Sequence, residues 1–309
     1  MSERGIRWIV DSGDGSTIGQ VLVRAGADAG ALRDGRVFVG RHRATAASDP
    51  VRVGDAVVIA PATVAIDRAV KVLDRSEDLV AVDKPAGIPT IADHAGVAHS
   101  LQGLTARTLG IDPRRLHPTS RLDRDVSGIV IFATASPGTA RLARARAAGA
   151  YSRRYVAMAA RPASPACGEW NDPIGRAQDP RWRSVHGRDS VPARTRYAVV
   201  AVSPEGPALL AVAPETGRTH QIRVHAAHAG APLVGDRVYG GPARVTLASG
   251  CVVAPRRIAL HAARVVVPDS RGRPWVVVSE IPEELLALGL ALGLGRAEWD
   301  GAVSCELPS

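Results

Sequence analysis

The sequence predicts an α+β fold built on a mainly antiparallel mixed sheet with flanking helices. Strand-length apolar, β-branched runs recur through the middle of the chain, short turn-rich segments separate most of them, and helical patterning is confined to a few places. The 309 residues, 46% hydrophobic, suffice for one large core, or for a large domain with a small companion.

Residues 14 to 62 read as a compact unit: a short helix, a second helical turn, then small strands at "RVFVG" and "VRVGDAVVIA", ending at Pro61. Further strands are expected at 127 to 134, 153 to 159, 195 to 203, 207 to 213, 257 to 267 and 274 to 280, and "DLVAVDKPAGIPT" supplies another. One helix is well marked, with Ser136 as its cap, Pro137 in its first turn and good helix formers up to Gly149. From Pro282, "PEELLALGLALGLG" reads as a C-terminal helix followed by a tail. The expected division is 1–65, 66–283 and 284–309.

The formal charge is +9, carried almost wholly by arginine, since Lys71 and Lys84 are the only lysines. Guanidinium forks suit a polyanion, although composition alone leaves an arginine bias without functional cause equally open. Aromatic residues make up only 4%, too few for a wide stacking platform, so recognition by shape and backbone is expected. The chain opens on no leader-like segment and holds no apolar run long enough to span a bilayer, so a cytoplasmic protein is expected. Cys167, Cys251 and Cys305 are too few and too far apart to suggest a disulfide framework or a zinc site.

The stretch "HPTSRLDRDVSGIVIFA", residues 117 to 133, sets Asp123 and Asp125 beside Arg121 and Arg124, ahead of an apolar strand. A carboxylate that must stay ionised in a site dry enough for an organic substrate needs a cation beside it. Taken alone, "RLD" reads as a turn.

The stretch does not stand alone. "SRLDRDVSGIVIFA" resembles the signature H-R-L-D-x-x-T-S-G of the RluA family of RNA pseudouridine synthases at Arg121, Leu122, Asp123, Ser127 and Gly128. Ser120 stands where His is common, and Val126 where Thr is usual. "DLVAVDKPAGIP" is similar to the family's K-P-x-G turn, "SRRYVAMAA" to its K-x-Y-x-A strand and "ARTRYAVV" to its A-x-T-x-Y strand. "ETGRTHQIRVHAAHAGAPLVGDRVYGG" follows the family pattern over nearly its full length, and "RIALHAARVVV" resembles its L-H-A strand. The resemblance covers about residues 70 to 283. Residues 14 to 62 also resemble the small RNA-binding domain first known from ribosomal small-subunit protein four, through Gly35, Val37, Val39, Gly40, Gly54 and Asp55.

The resemblance implies the pseudouridine synthase fold and an isomerase that needs no cofactor and no metal. Asp123 would be the catalytic carboxylate, Arg223 its paired cation, and Tyr155 the ring that stacks on the target uracil. Arg121 would reach a phosphate or fill the gap left by the flipped nucleotide. Arg218, His220 and Gln221 would face the RNA, and Gly217 would let the backbone come close. Lys84 is open to two readings, an RNA-backbone contact or the end of a strand. The arginines from Arg176 to Arg196 around Trp182 suggest an RNA-gripping loop. His220, His225 and His228 invite a metal reading, but helical spacing spreads them over different faces. The implied partner is RNA, ribosomal from the large subunit or transfer RNA, bound by a monomer and not by a membrane protein. Two alternatives are a decayed synthase that only binds RNA, and a glycoside hydrolase using Asp123 and Asp125.

Overall fold

A computed structural model describes residues 6–27, 30–33, 35–40, 42–59, 69–93 and 96–307; Pro61 lies outside these. The chain packs as two compact units, one within residues 1–70 and 88–118, the other within 71–87 and 119–309.

The first unit holds a four-stranded antiparallel sheet in the order Ile6–Ile9, Ala56–Ile59, Val37–Val39, His42–Arg43. The helix Ile18–Arg24 closes over it. Its core is small and apolar, made of Val10, Ile18, Val21, Val37, Val51, Val57 and Ile59 with their neighbours. The opening strand precedes the segment from which the sequence suggests a unit, yet its backbone pairs with Ala56–Ile59 along its whole length. In place of the second helical turn, the described residues 30–33 form turns. A further helix, Leu101–Leu109, is capped by Ser100 Oγ, which accepts from Gly103 N at 3.1 Å, and stops at Gly110 in the left-handed region.

In the second unit the main sheet runs, in hydrogen-bonded order, Cys167–Trp170, Thr195–Val202, Ala208–Pro214, Ser152–Ala159, Leu260–Pro268, Ser127–Ala133, Leu79–Lys84, Lys71–Ser76. Pro274–Val278 also pairs with Leu260–Pro268. Every pairing is antiparallel except Leu260–Pro268 with Ser127–Ala133, which is parallel. Ser127–Ala133 is buried at every position, as expected for a strand inside a sheet covered on both faces.

Two cores cover this sheet. One joins Leu79, Ile129, Ile131 and Val265 to Leu142 and Ala145 of the helix Ser136–Ala147. The other joins Val156, Met158, Leu209 and Ala211 to the chain's C-terminal segment. That segment is two helices, Glu283–Ala291 and Arg296–Ser304, so the expected tail is largely a second helix that buries Trp299 completely. Each such large side chain contributes roughly 1.5 to 3 kcal/mol.

The start of the helix Ser136–Ala147 differs from the sequence reading. Ala135 is the cap and Ser136 the first helical residue. Packing on Asp78 decides this: Asp78 O accepts from Thr134 N at 2.9 Å, its carboxylate pairs with Arg141, and a Cβ on Gly138 would come within 2.8 Å of Asp78 O. The arginine-rich segment around Trp182 is a three-stranded antiparallel sheet, with Ile174–Arg176 between Arg183–Val185 and Arg188–Val191, where a loop was expected. Five of its arginines face carboxylates: Arg181 pairs with Asp179, Arg194 with Glu169 and Glu215, Arg196 with Glu215, and Arg176 and Arg188 lie at the edge of ion-pair distance from Asp189.

The parallel pair brings Gly128 so close to Ala262 that a Cβ would lie 2.3 Å from the Ala262 carbonyl oxygen, and φ is +113°. Gly128→Ala should lower unfolding free energy by about 2 to 4 kcal/mol through clash and backbone strain together, measured by urea denaturation.

Candidate active site

The turn that carries Asp123 hangs from the first residues of the buried strand Ser127–Ala133. Ser127 Oγ shares a 2.7 Å hydrogen bond with His261 Nδ1 on the parallel neighbour, fixing the strand's start. Burial holds His261 far down, at about 3, so the ring is neutral. Val126 N donates to Asp123 O at 3.1 Å, closing the turn, and Gly87 N donates to Arg124 O at 2.8 Å.

Lys84 ties the turn to the sheet. Its ammonium, fully buried, donates to the carbonyls of Pro85 (3.1 Å), Arg124 (2.9 Å) and Val126 (2.7 Å). Of the two readings, the structure has Lys84 at the end of the strand Leu79–Lys84, with its side chain enclosed and turned inward, where it positions the loop. Burial pushes its ammonium down to about 7, against the fields of Asp123 and Asp125.

Arg223 lies on the helix Gln221–His228 and is only 6% exposed. Its Nη1 donates to Asp123 Oδ2 at 2.8 Å. Its Nε and Nη2 donate to Asp236 Oδ2 and Oδ1 at 2.7 and 2.9 Å, a two-pronged pair with a carboxylate that has no exposed surface. Burial works against the guanidinium's charge, but the bonds and fields of Asp236 and Asp123 outweigh it, and the net shift is upward. The ring of Tyr239 lies 4.9 Å from the guanidinium carbon.

His220 completes this side of the site. It holds a left-handed conformation, with φ +59°, at the helix cap. Its Nδ1 shares a 2.7 Å hydrogen bond with the Tyr239 hydroxyl, and its Nε2 stands 3.8 Å from Asp123 Oδ2. Burial pushes the imidazole down, with Asp123 opposing. Tyr155, on Ser152–Ala159, is buried, and burial pushes its hydroxyl up, opposed by Arg153 and reinforced by Asp123.

The structure therefore brings Asp123, Arg223 and His220 together, with Tyr155 within the reach of Asp123's field. Other residues named from the sequence have different surroundings. Gln221 is buried and fully used: Oε1 accepts from Thr216 Oγ1 and Arg218 N, and Nε2 donates to Arg194 O and Thr195 Oγ1. It fastens the helix start and has no group left for RNA. Arg218 is exposed, with Nε donating to Pro192 O. Arg121 is exposed. Gly217 is not forced by crowding, since a Cβ there would meet only Arg153 Nη1 at 3.6 Å. Ser120 Oγ accepts from the Tyr151 hydroxyl at 3.5 Å, and Val126 is buried. Asp125 is exposed, and the turn breaks the extended backbone on which a paired-carboxylate reading depended. His225 is spent on Thr195 Oγ1 and Asp172 O, and among the described residues no group of three His, Cys, Asp or Glu side chains converges as a metal site would require.

Asp236 and Tyr239 went unassigned in the sequence, although both stand in the matched run "GDRVYGG". A signal existed: an arginine among apolar helix positions, if buried, needs more acceptors than one carboxylate supplies. An ionisable carboxylate held against a fixed guanidinium beside a buried, neutral tyrosine can act as nucleophile or base on a flat, weakly polar substrate.

Known proteins resemble this chain in fold and sequence. A solved structure of human RNA pseudouridylate synthase domain containing 1 superposes with a TM-score of 0.58 at 22% identity, covering 78% of this chain and 97% of that one, which defines the fold as that of the pseudouridine synthases. A family model described as RNA pseudouridylate synthase matches residues 78–228. Ribosomal large subunit pseudouridine synthase D of Nitrosomonas europaea is 33% identical over 225 residues, 71% of this chain and 64% of that one. An uncharacterized RNA pseudouridine synthase of Mycobacterium bovis is 34% identical over 227 residues, 69% of this chain and 70% of that one. The chain belongs to this family, the RluA-type RNA pseudouridine synthases. It spans 62% and 64% of the length of the first two curated relatives that it matches.

Asp236→Asn should destabilise the protein by about 3 to 5 kcal/mol in urea unfolding, because it leaves buried Arg223 short of a charge partner. Lys84 gives a pH signature. Between about 7 and the ordinary lysine value the unfolded chain binds more protons than the folded one, so this group's contribution to stability rises with pH. The stability of wild type relative to Lys84→Met should be constant below about pH 7 and rise between there and the ordinary lysine value, by at most about 1.4 kcal/mol per pH unit.

Proposed function

We propose that the protein is an RNA pseudouridine synthase that isomerises uridine in structured RNA, large-subunit ribosomal RNA before transfer RNA. The observation that carries this reading is Arg223, fixed by Asp236 and directed at Asp123 2.8 Å away. Asp123 either attacks the ribose anomeric carbon or assists glycal formation as the N-glycosidic bond breaks. The freed uracil turns against Tyr155 and rejoins ribose through C5, and the C5 proton is released. Arg121, Arg218 and His220 line the approach of the RNA.

The preference for ribosomal RNA rests on the name of the Nitrosomonas relative. The +9 charge supports a nucleic-acid partner. The division into a small RNA-binding domain at 1–65, a catalytic domain at 66–283 and a C-terminal part at 284–309 belongs to the same proposal, as do a monomer and a cytoplasmic location. Among the described residues no helix is long and apolar enough to cross a membrane.

Asp123→Asn should abolish tritium release from RNA labelled at uridine C5 while leaving RNA affinity nearly unchanged; undiminished turnover would exclude the mechanism. Arg223→Ala should lower the single-turnover rate more than it lowers affinity. Pseudouridine mapping of total RNA with and without the gene identifies the substrate, and identical maps would count against the activity.

A further inference from the structure

The small sheet between Ile174 and Val191 brings one aromatic side chain to the rim of the site. The Trp182 ring lies 6.2 Å from the His220 ring, centroid to centroid, at 35°, and His220 in turn stands beside Asp123. Trp182 is half-exposed and belongs to none of the cores described above.

Its backbone is nevertheless held from several directions. Trp182 N donates to Asp179 O at 3.0 Å, and Trp182 O accepts from Ala177 N at 3.2 Å and from Arg183 Nη1 at 2.8 Å. Arg181, fixed by Asp179, places its guanidinium carbon 5.6 Å from the indole. Arg183 N donates to the Tyr239 hydroxyl at 3.0 Å, and Val185 packs, as Tyr239 does, against the cluster of Ile174, Ala193 and Val224. The turn is thereby tied to the helix that carries Arg223. Between Ile174 and Val191 four arginines face two aspartates, a balance of +2.

A fixed, partly exposed indole in a basic setting has the properties of a seat for a nucleobase, because every base offers a π-face and a guanidinium answers the phosphate. A duplex hides those faces, whereas a strand from which one nucleotide has been flipped exposes the face of the next. We propose that Trp182 stacks on the base adjacent to the target uridine, so that the hairpin reads an unpaired strand with little preference for the identity of that base. The inference rests on the synthase reading given above.

The test uses the full-length protein and a short adenosine oligonucleotide with one central uridine, prepared intact and with an abasic ribose on either side of it. Trp182→Ala should weaken binding by about 5- to 150-fold, and Trp182→Phe should keep most of the affinity. Wild type should lose comparable affinity when one flanking base is removed, and Trp182→Ala should be indifferent to that removal. Equal binding by wild type and Trp182→Ala, an undiminished effect of the variant on abasic RNA, or no binding of the unpaired strand by wild type would each overturn the proposal. Tritium release from mapped substrate RNA separates the two readings. If wild type releases none, the synthase reading fails; if wild type and Trp182→Ala release it with the same KM, only the role of Trp182 fails.

Discussion

One guanidinium shared by two carboxylates is the constraint around which the site is arranged. A buried arginine is costly unless its charge and its donors are answered. Asp236, fully enclosed, takes two of the donors and fixes the fork, leaving Nη1 directed at Asp123. One guanidinium thus answers two carboxylates, Asp236 with no exposed surface and Asp123 partly exposed. Tyr239 covers the guanidinium and also shares a hydrogen bond with His220, so the same few residues set the electrostatics and the packing around Asp123.

Such an arrangement works only if the turn bearing Asp123 arrives in register with the helix bearing Arg223. The parallel pairing of Ser127–Ala133 with Leu260–Pro268 fixes one end of that turn, through Gly128 against Ala262 and Ser127 against His261. Lys84 fixes it from beneath. Sheet register and the geometry of this side-chain cluster are here the same quantity, because a one-residue slip would exchange the faces on which these side chains stand.

Much of this was legible in the sequence, and the limits have physical causes. The central strands announced themselves because their apolar runs are long and bounded by turns, and Asp123 and Arg223 because their surrounding motifs are long. Helix Leu101–Leu109 went unread although Ser100 and Gly110 bracket it, since its apolar stripe is thin. The start of Ser136–Ala147 was misplaced by one residue because packing on Asp78 outweighed the capping preference of serine. Lys84 and Gln221 looked like RNA ligands because polarity in a motif does not disclose burial. Their hydrogen bonds turn inward, to carbonyls that no sequence pattern displays.

The pin beneath the turn also bears on composition. In a chain that uses arginine for nearly every cation, position 84 is one of two lysines. Three carbonyl oxygens converge on one point there, and a tetrahedral ammonium can meet all three. A planar fork spreads its donors over a wider front and is suited to flat acceptors such as carboxylates. The two cations that flank Asp123 are thus different in kind because their acceptors differ in shape: a cluster of carbonyls below, a carboxylate edge to the side.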